Sequence, residues 1–253
     1  MEFNKGNILN KIKEATKETV VMDEGLRAHM LKVYNYMASG VLLTGIIALI
    51  TFYLGAETNS AGAVVDFKPL GKAVFFSPLK WVIMLAPLGF VFYLSAKINK
   101  MSISAAQVTF WIFSGIMGLS LASLFIEFTH SSIARVFFIT SGTFAAMSLY
   151  GYTTKRDLTK LGGFLFMGLI GIIIASIVNI FIGSSALQFA ISVIGVLIFV
   201  GLTAYDTQTI KNMYYAGDSE STGSKKALMG ALRLYLDFIN LFILLLQLFG
   251  QRR

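Results

Sequence analysis

Uncharged apolar runs long enough to cross a bilayer recur through this chain, at roughly 33 to 55, 79 to 97, 103 to 125, 132 to 152, 161 to 182, 187 to 209 and 231 to 250. A hydrocarbon core about 30 Å thick takes about 20 residues of helix to cross. With no water to satisfy backbone groups in lipid, continuous hydrophobicity at these lengths favours helices over barrel strands. The sequence therefore predicts an all-α, polytopic membrane bundle of seven helices. In 253 residues little is left beyond the crossings, short loops and one modest tail, so one transmembrane domain is expected over 33 to 253. The charged stretch 1 to 32 is read as a cytoplasmic N-terminal segment, helical or partly disordered, lying on the membrane surface. Its start, MEFNKGNILNKIK, lacks the apolar core and small-residue cleavage site of a signal peptide.

The formal net charge of +8 comes from Lys and Arg placed between apolar segments, not gathered on a soluble face, so nucleic acid is not an expected partner. There is no cysteine, which excludes disulfides and thiolate chemistry. His29 and His130 are too few and too far apart for a metal site, and no cofactor is expected. Basic residues fall in alternate connections: Lys5 to Lys32 before the first segment, then Lys97 with Lys100, then Lys155, Arg156 and Lys160, then Lys211, Lys225 and Lys226. Those regions should face the cytoplasm and the connections 56 to 78, 126 to 131 and 183 to 186 should face outward. A seventh crossing then puts Arg252 and Arg253 outside, against the charge rule. Either the last segment re-enters the cytoplasmic side, or the earlier helices override a short tail.

Two carboxylates are buried in this apolar background. Asp206 sits near the cytoplasmic end of the sixth segment, in GLTAYDTQTIK, and Asp237 in the seventh, ALRLYLDFINLFILLLQLFG. A charge near mid-membrane costs about 2.5 to 3.5 kcal/mol on insertion scales, so it calls for a partner or an aqueous cavity. Arg233, Asp237, Asn240, Leu244 and Gln247 follow at spacings of three and four, one face of a helix. A polar stripe should turn away from lipid, which places this helix at the bundle centre. Across a cytoplasmic hairpin the two carboxyls can meet. Their titrations would then couple, because desolvation and like charge both disfavour the doubly ionised pair, giving a proton switch at the mouth of a bundle. The plainer alternative pairs Asp237 with Arg233 one turn away and leaves Asp206 to a helix cap or interfacial water. These alternatives weigh about equally from position alone.

Other polar residues are read more modestly. Lys97 can serve as counter-ion to the aspartates or snorkel to headgroups. Glu127, His130 and Arg135 gather at an outward connection as an outer mouth or a solvated loop pair. Asn179 with Ser176 suggests an interhelical hydrogen-bonding site, and Gly162, Gly163, Gly168 and Gly171 suggest close helix approach. Asn179, Asn240 and Gln247 are the pore-lining candidates. Tyr205 and Tyr235 are read as marking the membrane interface.

Together AYDTQTIK and LYLDFINLF resemble the Bax-inhibitor family of membrane proteins. The likeness extends to DEGLRAHMLKVYNYM, RVFFITSGTFAAMSLYGYTTKRDL and FLFMGLIGIIIASIVNIF, which look like the bacterial branch. The resemblance implies six helices around a central C-terminal helix, with a paired-aspartate pH sensor falling on Asp206 and Asp237. It further implies a pH-sensitive calcium leak, modulation of cell death in eukaryotes and, in some bacteria, regulation of a membrane-bound AAA protease. A basic side chain on the second helix pairs with the sixth-helix aspartate in the family as a latch. Lys97 is the match here, without the bidentate fork of arginine. The connection Lys211 to Gly230 is long and polar for the family.

Three functions follow from these readings. The first is a pH-responsive cation pathway in the bacterial inner membrane, for calcium above all, since carboxylate oxygens suit a hard divalent ion. The second is a regulator that binds another membrane protein, such as a protease, through the N-terminal segment and glycine-rich faces. The third, ranked low, is an intramembrane aspartyl protease, which also uses two membrane aspartates. HExxH, GxSxG and phosphate-loop motifs are absent from the sequence, and an enzyme is not expected.

Overall fold

Residues 3–59 and 62–253 are described in a computed structural model, with side chains described from residue 24 onward. The first helix, α1, runs unbroken through Phe3–Gly55, so the boundary expected at residue 32 is not a break in the chain. The part of it long and apolar enough to cross a membrane is Glu24–Gly55. The surface placement expected for the N-terminal segment rests on side chains that, up to residue 23, lie outside the described residues.

Six more long helices follow: α2 (Leu79–Lys97), α3 (Ile103–Leu121), α4 (His130–Thr153), α5 (Thr159–Ile182), α6 (Ser185–Asn212) and α7 (Glu220–Phe249). All six, with α1, qualify as membrane spans by length and composition. Their starts are set by local chemistry. Ser102, Ser184 and Ser219 lie just before α3, α6 and α7, and each hydroxyl accepts from the backbone N–H three residues on, satisfying a donor the helix leaves open. At its other end α5 stops on Gly183, whose φ of 67° is the left-handed closure glycine adopts without strain.

Two stretches depart from expectation. The connection after α1 carries a hairpin, β1 (Ala56–Thr58) antiparallel to β2 (Val64–Phe67), where the sequence suggested only a loop. At its end the Phe67 N–H, and then the Lys72 ammonium, hold the exposed Asp66 carboxyl below its ordinary range. The connection before the last helix is also shorter than the one read as Lys211 to Gly230, because α7 starts at Glu220 and only residues 213–219 link it to α6.

Helix α7 is the axis of the bundle. It packs against α6, α1, α4 and α3, while α2 packs chiefly on α3 and α5 chiefly on α6. The expected centre is therefore correct, and the six surrounding helices form four inner neighbours with two packed behind them. The antiparallel α6/α7 register is read from close approaches: a Cβ at Gly230 would meet Ile210, and one at Gly195 would meet Leu244. Two apolar clusters bury the axis. Phe110, Phe113, Leu234, Tyr235 and Phe238 form one, and Phe199, Leu202, Leu241, Leu245 and Leu246 the other.

Helix α7 also passes through the bundle without turning back. Phe128 and Arg252 form an antiparallel bridge, the Arg253 N–H donates to the Glu127 carbonyl at 3.0 Å, and Arg252 pairs with Glu127 at 3.2 Å. Of the two alternatives for the last segment, re-entry is excluded: Arg252 and Arg253 lie at the end of the connections 56–78 and 126–131. With Gly62 accepting from the Arg253 side chain and Ser132 of α4 from the Gln251 N–H, three segments tie this tail down, which gives it a place despite its charge.

Candidate functional site

The α6/α7 register brings Asp206 and Asp237 side by side. Their carboxyl groups lie close enough to influence each other's charge, and both residues are buried, at 7% and 4% exposure. Arg233 stands one turn before Asp237 on α7, and its Nη1 lies 3.6 Å from Asp206 Oδ1. The plainer alternative raised by the sequence thus takes a different form, because the arginine's ion pair reaches across to Asp206 on the neighbouring helix. Among the described residues, Asp206 Oδ1 and Asp237 Oδ2 have no hydrogen-bond partner. Two acids and one half-exposed base therefore occupy a buried site with hydrogen-bonding capacity unused.

Lys97 does not join them. It is exposed at the end of α2 and, among the described residues, forms no ion pair. The counter-ion is Arg233, whose place on the inward stripe of α7 puts it beside the pair, whereas α2 lies behind α3.

The remaining pore-lining candidates divide. Asn240 donates to the Leu236 carbonyl of its own helix at 2.8 Å. Gln247 and Asn179 meet at the far end of the bundle through Gln188: Asn179 Nδ2 donates to Gln188 Oε1 at 3.2 Å, and Gln188 Nε2 to Gln247 Oε1 at 2.7 Å. Ser192 also donates to Gln247 Oε1, at 3.1 Å. This cluster joins α5, α6 and α7 ten residues from Asp237, about 15 Å along the helix. Between the two polar sites α7 presents buried Leu241, Leu244 and Leu245. At the connection 126–131, Glu127 pairs with Arg252, and His130, at the start of α4, accepts from Arg253. Arg135, expected beside them, is exposed on α4.

Several polar contacts were not foreseen. Tyr235, read as an interface residue, is fully buried, with its hydroxyl 2.6 Å from that of Thr44. The Thr44 hydroxyl also donates to the Ser114 carbonyl at 2.8 Å, so α1, α3 and α7 are joined one turn from Asp237. Near Asp206, the Tyr34 and Ser148 hydroxyls lie 2.6 Å apart and Ser148 and Thr207 lie 3.0 Å apart. The only sequence signal for either was closeness to an aspartate, Thr207 one residue after Asp206 and Tyr235 two before Asp237. Farther toward that end, buried His29 packs against Tyr214, and among the described residues its Nε2 has no hydrogen-bond partner.

Such an arrangement defines a class: an integral membrane protein whose central helix, with the helix beside it, holds a buried ionisable centre of two acids and a base. The family description "Inhibitor of apoptosis-promoting Bax1" matches residues 26–253. Inner membrane protein YbhL of Escherichia coli (strain K12) is 46% identical over 231 residues, 90% of this chain and 94% of that one. A protein of Rickettsia prowazekii (strain Madrid E) is 47% identical over 244 residues, covering 94% and 95% of the two chains. One of Caulobacter vibrioides is 40% identical over 256 residues, covering 100% and 99%. The chain belongs to the Bax-inhibitor family, and it is an integral protein of the bacterial inner membrane.

Proposed function

We propose that this protein is a pH-responsive leak pathway for cations, calcium above all, with Asp206 and Asp237 as its proton sensor and Arg233 as its latch. The observation that carries the reading is the meeting of two carboxyls from different helices in one buried place, with a single cation on one of them. Carboxyls that influence each other strongly titrate as a unit. Any change in their shared charge alters the balance between the Arg233–Asp206 contact and the α6/α7 packing. Leu241, Leu244 and Leu245, between the aspartates and the Gln247 cluster, support a closed conformation in which ions lack a polar path. Opening would then part α7 from a neighbour at the aspartate end. Carboxylate oxygens are suited to a hard divalent ion, and the basic connections support a cytoplasmic N-terminus, with the pair near that side. The protein acts in this reading as a conduit and not as an enzyme.

The test is calcium entry into dye-loaded liposomes containing the purified protein, followed across pH. The unsubstituted protein should pass calcium in a pH-dependent way, and both Asp206→Asn and Asp237→Asn should flatten or displace that dependence. Arg233→Gln should raise flux at the pH where the unsubstituted protein is most closed. Unchanged flux profiles in both aspartate variants would end the reading.

A further inference from the structure

Elsewhere in the bundle, α1 and α4 part over α7 and leave a crevice of about 430 Å³. Its walls run along Val41 to Tyr53 on α1 and His130 to Phe138 on α4, and its floor is Phe238 and Phe242 of α7. Phe138 and Tyr53 on its rim are 73% and 55% exposed, so the crevice opens toward the lipid. Val41 to Tyr53 is a rise of twelve residue steps, about 18 Å of helix. Half of a hydrocarbon core about 30 Å thick is about 15 Å. The crevice thus has the length of one leaflet's acyl chain, with little polar surface along it to hold water.

Its outer end is cationic. Arg253 donates from Nε to the Phe128 carbonyl at 3.2 Å, from Nη1 to the Gly62 carbonyl, and from Nη2 to His130 Nδ1 at 2.9 Å. His130 itself lines the crevice. These contacts use three of the five guanidinium N–H groups and leave two. Lys68 donates to the carbonyl of Tyr53, another lining residue, at 3.4 Å. Neither cation has a carboxylate partner among the described residues, because the nearby acids Asp66 and Glu127 are taken by Lys72 and Arg252. The third acid on that side, Glu57, lies exposed on β1. An apolar slot one leaflet deep, headed by two cations that form no ion pair among the described residues, is complementary to a molecule with an acyl chain and an anionic head.

We infer that the α1/α4 crevice binds an anionic phospholipid of the surrounding bilayer, its acyl chain over Phe238 and Phe242 and its phosphate at Arg253 and Lys68. The site is independent of the aspartate pair and would persist were the cation-pathway reading wrong. The chain also provides its own probe, since a Cβ added at Gly45, on the crevice wall, meets nothing within 4 Å. A larger side chain there starts from open space and extends into the slot.

Native mass spectrometry of the full chain, given phosphatidylglycerol or phosphatidylcholine of identical acyl composition, tests the inference. Retention of phosphatidylglycerol should exceed that of phosphatidylcholine by about tenfold, because both bring a phosphate but the choline ammonium of the second sets a like charge beside Arg253 and Lys68. The double variant Arg253→Gln, Lys68→Gln should abolish that preference. Gly45→Leu should lower retention of both lipids. Equal retention by the unsubstituted protein, or a preference that survives loss of both cations, overturns the proposal. So does undiminished retention in Gly45→Leu. The cation variant lies at the surface, outside the helix core, so it remains decisive should Gly45→Leu fail to assemble.

Discussion

Helices α5 and α7 reverse what a water-soluble protein would do. The apolar window of α5 has a mean hydropathy of 2.6 and is 11% buried, whereas that of α7 has 1.8 and is 67% buried. The most apolar helix faces out and a less apolar one forms the core. In lipid, burying a leucine against protein brings no transfer gain, because the surrounding chains are equally apolar. A charge or amide, however, gains greatly by leaving them. Helix α7 is central because it carries Arg233, Asp237, Asn240 and Gln247, and its leucines are buried as a consequence. On α5, Phe181 and Ile180 lie 85% and 78% exposed, with lipid as their solvent.

Matching substitutions in the two helices can break that comparison. The largest effect is expected from Leu234→Ala on α7, fully buried in the bundle, which should cost up to about 3 kcal/mol through the cavity and lost contacts alone, the transfer part being absent in lipid. Ile180→Ala on α5 should stay within about 0.5 kcal/mol. Unfolding in mild detergent, followed by tryptophan fluorescence, measures both. Equal costs would mean that α7 is not the packed axis.

A smaller effect sharpens the comparison inside α5. A Cβ at Gly162 would lie 2.4 Å from the Tyr205 ring of α6, and one at Gly171 would meet nothing within 4 Å. Gly162→Ala should therefore cost about 1 to 3 kcal/mol by overpacking. Gly171→Ala should be neutral or stabilise by up to about 1 kcal/mol, because alanine is the better helix former. The same unfolding assay separates them. The glycines of this helix were read together as packing positions, but only those facing α6 prove to be, Gly168 against Ile198 being the other.

The seven crossings were legible because length and continuous hydrophobicity are properties of each segment alone. Their ends were less so. Glu220 to Gly230, ESTGSKKALMG, reads as a polar loop, yet it is the first three turns of α7. Ser219 caps it, and Lys226 pairs with Asp218 at 2.6 Å, so these turns hold without an apolar face toward lipid. The hairpin Ala56–Thr58 and Val64–Phe67 was too short to carry a pattern. Within the site, Asp206 and Asp237 stood out because an acid in an apolar helix is costly. Arg233 was recognised on the right face, but its preference for Asp206 depends on how α6 and α7 align, which neither segment encodes alone. The pairs Thr44–Tyr235 and Tyr34–Ser148–Thr207 were hidden because hydroxyls are common in membrane helices and only their meeting distinguishes these.

What most directly tests the account is whether the two carboxyls titrate as one group. Infrared difference spectra of the carboxyl C=O stretch, recorded across pH with the protein in lipid, report each aspartate's protonation. Removing either acid with Asp206→Asn or Asp237→Asn should move the titration of the one that remains and change the steepness of its curve. If the surviving aspartate titrates in each variant just as it does in the unsubstituted protein, the pair is not a coupled centre and the proton sensor falls.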